Sequence, residues 1–298
     1  MNKVLIFGST GQLGSDLVDV LRNSGSFDVV PLTHEMADCT DADAVRRTVL
    51  QCRAQYVINS AAFVRVDDCE EHAAEAFAVN AIGALNIARA CAEIDACCVY
   101  ISTDYVFDGE KETPYVESDQ TNPINVYGAS KLAGEQLVRQ AAQRWLIVRM
   151  ASLFGKTGAR GKGGNFIETI LAKARKGEAL KVVDDIRMSP TYSRDAAEAM
   201  EYLLTVGTTG VVHAANGGSC TWYEFAETVL DLCGVNGEIA AVHSSDSPMR
   251  ARRPNNSALE TERSMFNCRF SVRPWQAALG AYLREKGHLP IHQSVAIR

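Results

Sequence analysis

The sequence lacks the marks of several large classes of protein. Its nine cysteines stand at irregular spacings, and no two of them form a C-x-x-C pair. An odd, scattered set of this kind builds neither the disulfide framework of a secreted domain nor a zinc site. The six histidines carry no H-E-x-x-H motif. We therefore expect a cytoplasmic protein with buried thiols and no metal.

Long apolar runs and an excess of positive charge are absent as well. The N-terminal apolar run ends at Gly8 and is too short for the core of a signal peptide. No run reaches the ~20 residues that a membrane-spanning helix needs. The formal net charge is −6. We therefore expect no membrane association and no nucleic acid as a partner, because binding to nucleic acids or anionic membranes usually requires a basic surface.

What is present is a regular alternation of short apolar runs and amphipathic stretches. Apolar runs typical of buried strands stand at 4–7, 28–32, 56–62, 97–102 and 146–150. Helical patterns fill the intervals between them, among them a stretch capped by Thr40, an alanine-rich stretch at 70–92 and one at 127–143. This alternation predicts β-α-β units and therefore an α/β fold with a doubly wound parallel sheet.

The rhythm ends after Arg149. A glycine- and lysine-rich segment at 155–165 predicts a mobile loop, and a helix is expected at 166–176. A final helical pattern begins after Pro274, a residue that suits the first turn of a helix. The second part of the chain is therefore expected to form a smaller lobe.

The first strand leads directly into "GSTGQLG", with Gly8, Gly11 and Gly14 spaced as in a phosphate-binding turn. Glycines permit the tight turn and let backbone N–H groups approach a pyrophosphate at the N-terminus of the next helix. The second strand, however, is followed by Thr33 and His34, where NAD-binding proteins usually carry an acid. No arginine stands there for a 2′-phosphate. The pattern predicts a nicotinamide dinucleotide and leaves NADPH and NADH open.

A hydroxyl and a Tyr-x-x-x-Lys pair complete the pattern. Thr103 lies at the end of the fourth strand, and Tyr127 and Lys131 share one face of the next predicted helix. Reduction of a ketone requires a proton donor at the carbonyl oxygen. The pKa of a free tyrosine is about 10 and would have to fall by roughly 3 units for work near neutrality. A nearby ammonium supplies that field, so the three residues form a candidate catalytic trio.

With these motifs in place, the sequence resembles the dTDP-4-dehydrorhamnose reductase family of extended short-chain dehydrogenases. The resemblance covers nearly the whole chain. It rests most specifically on "STDYVFDG" and "RRPNNSALE", and more broadly on "GSTGQLG", "VNAIGALNIA" and "NVYGASKLAGE". It implies an NAD(P)H-dependent reduction of the 4-keto group of a dTDP-linked 6-deoxy sugar, with NADPH as the first choice of cofactor, NADH as the alternative, and a homodimer as a compatible assembly.

The resemblance also implies a division of labour along the chain. We expect an NAD(P)-binding Rossmann domain at 1–150 and 183–212, and a substrate-binding domain at 151–182 and 213–298. The catalytic residues would be Thr103, Tyr127 and Lys131. The cofactor would be lined by Gly8, Thr10, Gly11, Gln12, Leu13, Gly14, Asp38, Cys39, Ala61, Ala62, Phe63, Asn80, Ser102, Tyr127 and Lys131. The nucleotide-sugar would contact Asp104, Val106, Asn165, Phe166 and Arg253.

Three positions depart from the family pattern. Ser152 in "RMASLFG" replaces a tryptophan that is common on the substrate side, Arg187 interrupts the segment before "SPTY", and Arg65 lies near the predicted cleft. One hypothesis is that the sugar differs from the usual rhamnose precursor or sits differently. The alternative is that these positions have drifted without a change of function.

Two other functions fit the same scaffold. A nucleotide-sugar epimerase or dehydratase would recycle a tightly bound NAD, although the missing acid after the second strand and the "STDYVFDG" segment weigh against it. A non-catalytic regulatory subunit would keep the scaffold and bind a partner enzyme. The intact Thr103, Tyr127 and Lys131 do not exclude this second alternative.

Overall fold

The computed structural model describes residues 1–157, 165–246, 250–262 and 272–290. Most of the loop expected to be mobile at 155–165 and the end of the predicted second domain lie outside the described residues. The helices are α1 (Gln12–Asn23), α2 (Ala42–Cys52), α3 (Val66–Glu71), α4 (Ala73–Phe77), α5 (Gly83–Ala92), α6 (Val126–Ala141), α7 (Phe166–Arg175), α8 (Ser193–Thr205), α9 (Trp222–Cys233) and α10 (Trp275–Glu285).

Six strands form the main sheet, and all of them run parallel. They are β1 (Asn2–Phe7), β2 (Phe27–Leu32), β3 (Tyr56–Asn59), β4 (Cys97–Thr103), β5 (Arg144–Met150) and β10 (Gly210–His213). Their spatial order is β10-β5-β4-β3-β1-β2, so the direction of winding reverses between β1 and β3. The five predicted strands and the doubly wound α/β fold are confirmed, and β10 is an addition that the sequence pattern did not reveal.

Three small sheets accompany the main one. β6 (Leu153–Phe154) pairs with β9 (Thr191–Tyr192), β7 (Leu180–Val183) with β12 (Ile239–Val242), and β8 (Arg187–Met188) with β11 (Cys220–Thr221). The apolar faces of α7, α9 and α10 bury one cluster with these strands, separate from the two clusters that cover the main sheet. The chain crosses between the two regions, because α8 packs on α1 and β10 joins the main sheet. The domain boundaries at 150, 182 and 212 stay a prediction.

The alanine-rich stretch at 70–92 is not one helix, as the sequence predicted. α3 ends at Glu71, and His72 leaves helical geometry with a φ of −118° and a ψ of 47°. The chain then runs through α4, a π-helical turn (Ala78–Ile82) and α5. Local composition favours a continuous helix here. The π-helical turn, a second irregularity, carries Asn80, which makes tertiary hydrogen bonds with Phe63, Ser130 and Tyr100.

The cap of α2 also differs from the prediction. Asp41, not Thr40, is the N-cap, and its carboxylate accepts hydrogen bonds from the backbone of Asp43 and Ala44 at 3.0 Å each. Thr40 instead binds the Asp38 carboxylate through both its backbone N–H and its hydroxyl. The capping role predicted for Thr40 therefore belongs to Asp41.

A buried ion pair fastens α6 to the sheet. Glu135 of α6 is fully buried and pairs with Arg149 of β5 through two hydrogen bonds of 2.9 and 2.8 Å. Ser102 of β4 donates a third hydrogen bond to the same carboxylate at 2.6 Å. These contacts fix both the position and the rotation of α6 against β4 and β5.

We predict that Arg149→Met lowers the free energy of unfolding by about 3–5 kcal/mol, because it leaves the Glu135 carboxylate buried without its cation. Arg46→Met is the matched control, since Arg46 pairs with Glu93 in the same bidentate way at an exposed site. The control should lose at most about 1 kcal/mol. Urea denaturation of both variants measures the difference, and equal losses would show that burial of the pair carries no special weight.

Candidate active site

The glycine turn lies at the switch point of the sheet, between the carboxyl ends of β1 and β3. Gly8 has a φ of +75°, and a side chain on it would stand 2.7 Å from the backbone nitrogen of Ala61. A side chain on Gly14 would stand 2.1 Å from the Gly8 carbonyl oxygen. Backbone therefore approaches backbone at both positions, and only glycine fits. Ligands of doubly wound sheets bind in this crevice.

The donors around the turn fit the pyrophosphate and ribose groups of a dinucleotide. Gly11 is the N-cap of α1 and no side chain caps this helix, so its N-terminal partial charge faces the crevice. The side-chain nitrogens of Gln12 and Asn59 are buried and make no hydrogen bond to any of the described residues. Buried donors of this kind need acceptors. The phosphate and hydroxyl oxygens of a dinucleotide would supply them.

Several predicted cofactor residues stand at the surface of the crevice. Thr10, Gln12, Ala61, Ala62 and Phe63 are all half-buried along the turn and the exit of β3. Leu13 differs, because its side chain belongs to the apolar cluster under α1. Contact between Leu13 and a cofactor is therefore limited to its backbone.

The residues that follow β2 do not distinguish NADPH from NADH. His34 is exposed, with its Nε2 4.0 Å from the Asp38 carboxylate. Hydrogen bonds from Thr40 hold the pKa of Asp38 below its usual value. Cys39 is 4 % exposed and packs against Gly83, and its predicted contact with the cofactor stays a prediction. Burial raises the pKa of this thiol to about 11 and keeps it neutral.

The buried Asn80 side chain supports the loop that borders the crevice. Its side chain is fully buried, accepts a hydrogen bond from the Phe63 N–H at 2.9 Å, and donates to the Phe63 carbonyl and to Ser130. The predicted contact between Asn80 and the cofactor stays a prediction. Asn80 joins the loop after β3 to α6.

The candidate acid lies against the end of β4. Tyr127 is in the first turn of α6, which is capped by Asn125, and the Thr103 hydroxyl lies close enough to affect the pKa of the Tyr127 phenol. The Thr103 hydroxyl also donates to Asp104 at 2.8 Å and accepts from the N–H of Tyr105. Burial raises the pKa of Tyr127, and the Thr103 hydroxyl opposes that rise. Tyr127 is therefore a neutral proton donor in this structure.

Lys131 lies one helical turn further and is almost fully buried. Its ammonium donates to the Ile101 carbonyl at 2.6 Å and stands 4.0 Å from the centre of the Tyr100 ring. Burial lowers the pKa of Lys131 to about 7, while the negative charge of Glu135 acts in the opposite direction. The structure thus brings Thr103, Tyr127 and Lys131 together at one end of the sheet.

A cavity of about 860 Å³ opens beside this trio. Tyr105 lines it, and its ring lies edge-on to the Tyr127 ring with 6.0 Å between their centres. The opposite wall comes from α7 and β7, with Phe166 and Trp222 in edge contact at 4.8 Å. The volume and the mixed apolar and charged lining suit a ligand of nucleotide-sugar size.

Of the five predicted substrate residues, Phe166 and Arg253 line this cavity. Asn165 caps α7 and donates to the Gly155 carbonyl and to Tyr282, so its side chain serves the fold. Asp104 is buried beneath Thr103 and acts through that hydroxyl.

Val106 and Ser102 are buried. The Val106 side chain is fully buried in a cluster with Phe107, Tyr115 and Leu259, and its predicted substrate contact stays a prediction. The Ser102 hydroxyl donates to Glu135, and its predicted place in the cofactor set stays a prediction. Both residues stand within or beside the "STDYVFDG" motif and support it from inside.

Arg253 reaches the cavity already paired. Its guanidinium donates to both carboxylate oxygens of Asp67, at 2.7 and 3.0 Å, and to the Ala251 carbonyl. Asp67 and Tyr105 raise the pKa of the Arg253 guanidinium, while burial opposes that rise. The pair with Arg253 lowers the pKa of Asp67 to about 2. A phosphate at this position would therefore meet a guanidinium held in place by a carboxylate.

Sequence reasoning missed Tyr105, Trp222 and Val66 as cavity residues. Tyr105 stands inside a motif that was recognised, one residue from Asp104. Trp222 opens α9 far along the chain and gave no sign of its own, because its place in the cavity depends on how the second region folds back.

The three departures from the family pattern take different places. Arg65 lies at the rim of the cavity and pairs with Asp68 at 2.6 Å. Ser152 has a φ of +41°, a strained value for a residue with a side chain. Arg187 lies near Glu224 and Ser219 and is not among the cavity residues.

The described residues contain neither a membrane-spanning helix nor a cluster of metal ligands. They contain no helix long and apolar enough to cross a membrane. Within the same ranges, no three histidine, cysteine, aspartate or glutamate side chains lie close enough together to hold a metal ion.

We predict that Asp67→Asn lowers stability at neutral pH and that the loss disappears in acid. The folded pKa of Asp67 lies below the unfolded value of about 4, so its stabilising effect is present above pH 4 and is lost as the pH falls toward 2. Urea denaturation at pH 7, 5 and 3 measures this. Asp231→Asn, at an exposed position on α9, is the control. A difference between wild type and variant that is constant with pH would contradict the assignment.

Comparison with known proteins gives consistent matches over nearly the whole chain. The profile of the RmlD substrate binding domain matches residues 1–287. The Bacillus subtilis spore coat polysaccharide biosynthesis protein SpsK is 37 % identical, covering 96 % of this chain and 98 % of its own length. The dTDP-4-dehydrorhamnose reductase of Mycolicibacterium smegmatis is 38 % identical over 93 % of this chain and 84 % of its own.

A solved structure agrees with these matches. The dTDP-4-dehydrorhamnose reductase of Bacillus anthracis, crystallised with NADP, superposes with a TM-score of 0.90 at 34 % identity, covering 95 % of this chain and 99 % of that one. The predicted resemblance is thereby confirmed: the chain belongs to the dTDP-4-dehydrorhamnose reductase family.

Proposed function

We propose that this protein is an NADPH-dependent reductase of the 4-keto group of a dTDP-linked 6-deoxy sugar, acting as a dTDP-4-dehydrorhamnose reductase in dTDP-rhamnose biosynthesis. The observation that carries the proposal is the grouping of Thr103, Tyr127 and the buried Lys131 at one end of the sheet, with Tyr105 in contact with Tyr127 and lining the cavity. Membership of the reductase family supports the choice of reaction.

The chemistry follows from the charges at the site. A ketone that receives a hydride develops negative charge on its oxygen, and Tyr127 donates the proton that neutralises it. The Thr103 hydroxyl lies near the phenol and is held in place by Asp104. The Lys131 ammonium favours the phenolate that remains after transfer, because it places a positive charge on the same helix face.

The residues present fit a dinucleotide cofactor. Gly8, Gly11 and Gly14 would hold the pyrophosphate, with Gln12 and Asn59 supplying buried donors. When bound, the reduced nicotinamide supplies the hydride. The NADP in the related Bacillus anthracis structure favours NADPH. NADH remains the alternative, since no acid and no arginine follows β2 directly.

The nucleotide-sugar is proposed to lie in the cavity, with its keto group toward Tyr127. Phe166 and Trp222 offer aromatic surfaces for a base, and Arg253 offers guanidinium donors for a diphosphate. The division into a cofactor-binding and a substrate-binding domain, the cytoplasmic location and the homodimer stay predictions beside this proposal.

The first test is turnover. We predict that the protein oxidises NADPH in the presence of dTDP-4-dehydro-L-rhamnose, and that Tyr127→Phe slows this by about 100- to 10,000-fold because the proton donor is lost. Tyr223→Phe is the control, since that tyrosine lies on α9 outside the cavity lining. Absorbance at the NADPH band gives the rate. Isomerisation of the nucleotide-sugar without net oxidation of NADPH would indicate an epimerase. Binding of NADPH without any turnover would favour a regulatory subunit.

A second test concerns the cofactor alone. We predict that Gly14→Ala weakens NADPH binding by about 10- to 100-fold, because the added methyl group would stand 2.1 Å from the Gly8 carbonyl and force the turn open. Gly217→Ala is the control, since a methyl group there meets only ordinary contacts beyond 3.5 Å. Fluorescence titration gives both affinities, and unchanged binding in Gly14→Ala would place the cofactor elsewhere.

A further inference from the structure

A buried tyrosine outside the trio, Tyr100, lies directly beneath Lys131. It stands in the middle of β4, where no part of its side chain is exposed. Neither the proposed proton transfer nor the cofactor crevice uses it. A tyrosine buried this deeply needs a partner for its hydroxyl, and its ring must face something that suits an aromatic surface.

The Tyr100 hydroxyl is fixed by the π-helical turn. It donates to the Asn80 carbonyl at 2.7 Å, and the Lys131 carbonyl lies at 3.5 Å. α6 makes room for this arrangement with a glycine. A side chain on Gly134 would stand 2.4 Å from the Tyr100 hydroxyl oxygen. The position of the tyrosine is therefore set from β4, from the π-helical turn and from α6 together.

The Tyr100 ring faces the lysine. The Lys131 ammonium lies 4.0 Å from the ring centre, well inside the range of a cation–π contact. The same ammonium donates to the Ile101 carbonyl, the neighbouring residue on β4. These two contacts hold the cation against the strand, with the ring face on one side and a carbonyl dipole on the other.

Burial and the groups around Lys131 act on its pKa in opposite directions. Glu135 and Tyr127 lie one turn away on α6, and Cys39 faces it from the loop after β2. The Glu135 charge is largely engaged by Arg149 and Ser102. Burial acts against the ammonium and lowers the pKa of Lys131 to about 7. Any additional group that favours the ammonium changes the fraction of charged lysine near neutral pH.

We propose that Tyr100 is a positioning residue for Lys131: its ring face holds the lysine in the charged form, and its hydroxyl anchors the ring to the π-helical turn. The proposal deepens the reductase function, because that function requires a cation one turn from Tyr127. The two roles separate by substitution. Phenylalanine keeps the ring and loses the anchor, whereas leucine loses the ring.

The direct test follows the titration of Lys131 by NMR of ¹³C-labelled lysine side chains, with the resonance assigned from its loss in Lys131→Met. In Tyr100→Leu we expect the midpoint to fall by about one pH unit relative to wild type, because the cation loses its aromatic face. The Lys131 midpoint in Tyr100→Phe should equal that in wild type. A leucine variant that titrates with wild type, or a phenylalanine variant that shifts as far as leucine, would overturn the proposal.

A second substitution tests the proposal if the Tyr100→Leu variant does not fold. Pentafluorophenylalanine at position 100 keeps the shape of phenylalanine and reverses the ring quadrupole. Its Lys131 midpoint should lie below that of Tyr100→Phe. Equal midpoints would overturn the proposal, because the ring would then act only as packing.

Turnover separates this proposal from the proposed function. If Lys131 must be charged, the activity of Tyr100→Leu should fall about tenfold relative to Tyr100→Phe above the shifted midpoint and recover toward it at lower pH. A loss that is equal at every pH would indicate a packing defect and contradict the proposal. If wild type turns over no keto sugar, the reductase function fails, while the NMR titration still decides the role of Tyr100.

Discussion

The buried ion pair between Glu135 and Arg149 is the constraint on which the candidate site depends. Glu135 has no exposed surface and Arg149 has almost none, so neither charge has water as an alternative partner. The pair fixes which face of α6 meets β4 and β5. Lys131 and Tyr127 lie four and eight residues before Glu135 and therefore share that face. The geometry of the candidate acid is thus set two turns away from it.

The same face of α6 meets buried charges, and neighbouring groups offset part of the free-energy cost of removing these charges from water. Two cations, Lys131 and Arg149, share the neighbourhood of one carboxylate in a region without solvent. Arg149 takes both oxygens of Glu135, so the lysine depends on weaker contacts with the Ile101 carbonyl and the Tyr100 ring. A lysine held in this way can exchange its partner for a ligand at lower cost than one in a direct ion pair. That is the behaviour a catalytic cation requires.

The sequence predicted the parts of this arrangement that depend on local pattern. The first five strands, the glycine turn and the helix of Tyr127 and Lys131 follow from alternation and spacing, and the structure shows them together. The π-helical turn could not be predicted, because the hydrogen bonds of Asn80 join it to distant segments of the chain. The cap at Asp41 was missed because Thr40, an equally good capping residue, is engaged by Asp38.

Within the motifs, resemblance could not distinguish ligand contacts from support. Val106, Ser102 and Asn80 stand in stretches that match the family, and all three side chains are committed to the interior. A motif records that a residue type is needed at a position. It does not record whether a ligand or the scaffold needs it. Burial and hydrogen-bond partners separate the two cases, and they become visible only in the folded chain.

Arg65 shows how the same reasoning bears on substrate choice. As an isolated departure from the family pattern, it raised the hypothesis that the sugar differs from the usual rhamnose precursor or sits differently. In the structure it pairs with Asp68, three residues further along α3, so the cation brings its own counter-ion to the rim of the cavity. Arg253 is balanced by Asp67 in the same way. Because the two acids offset the two arginines, Arg65 adds no net charge for a substrate to meet, and the pairing favours drift without a change of sugar.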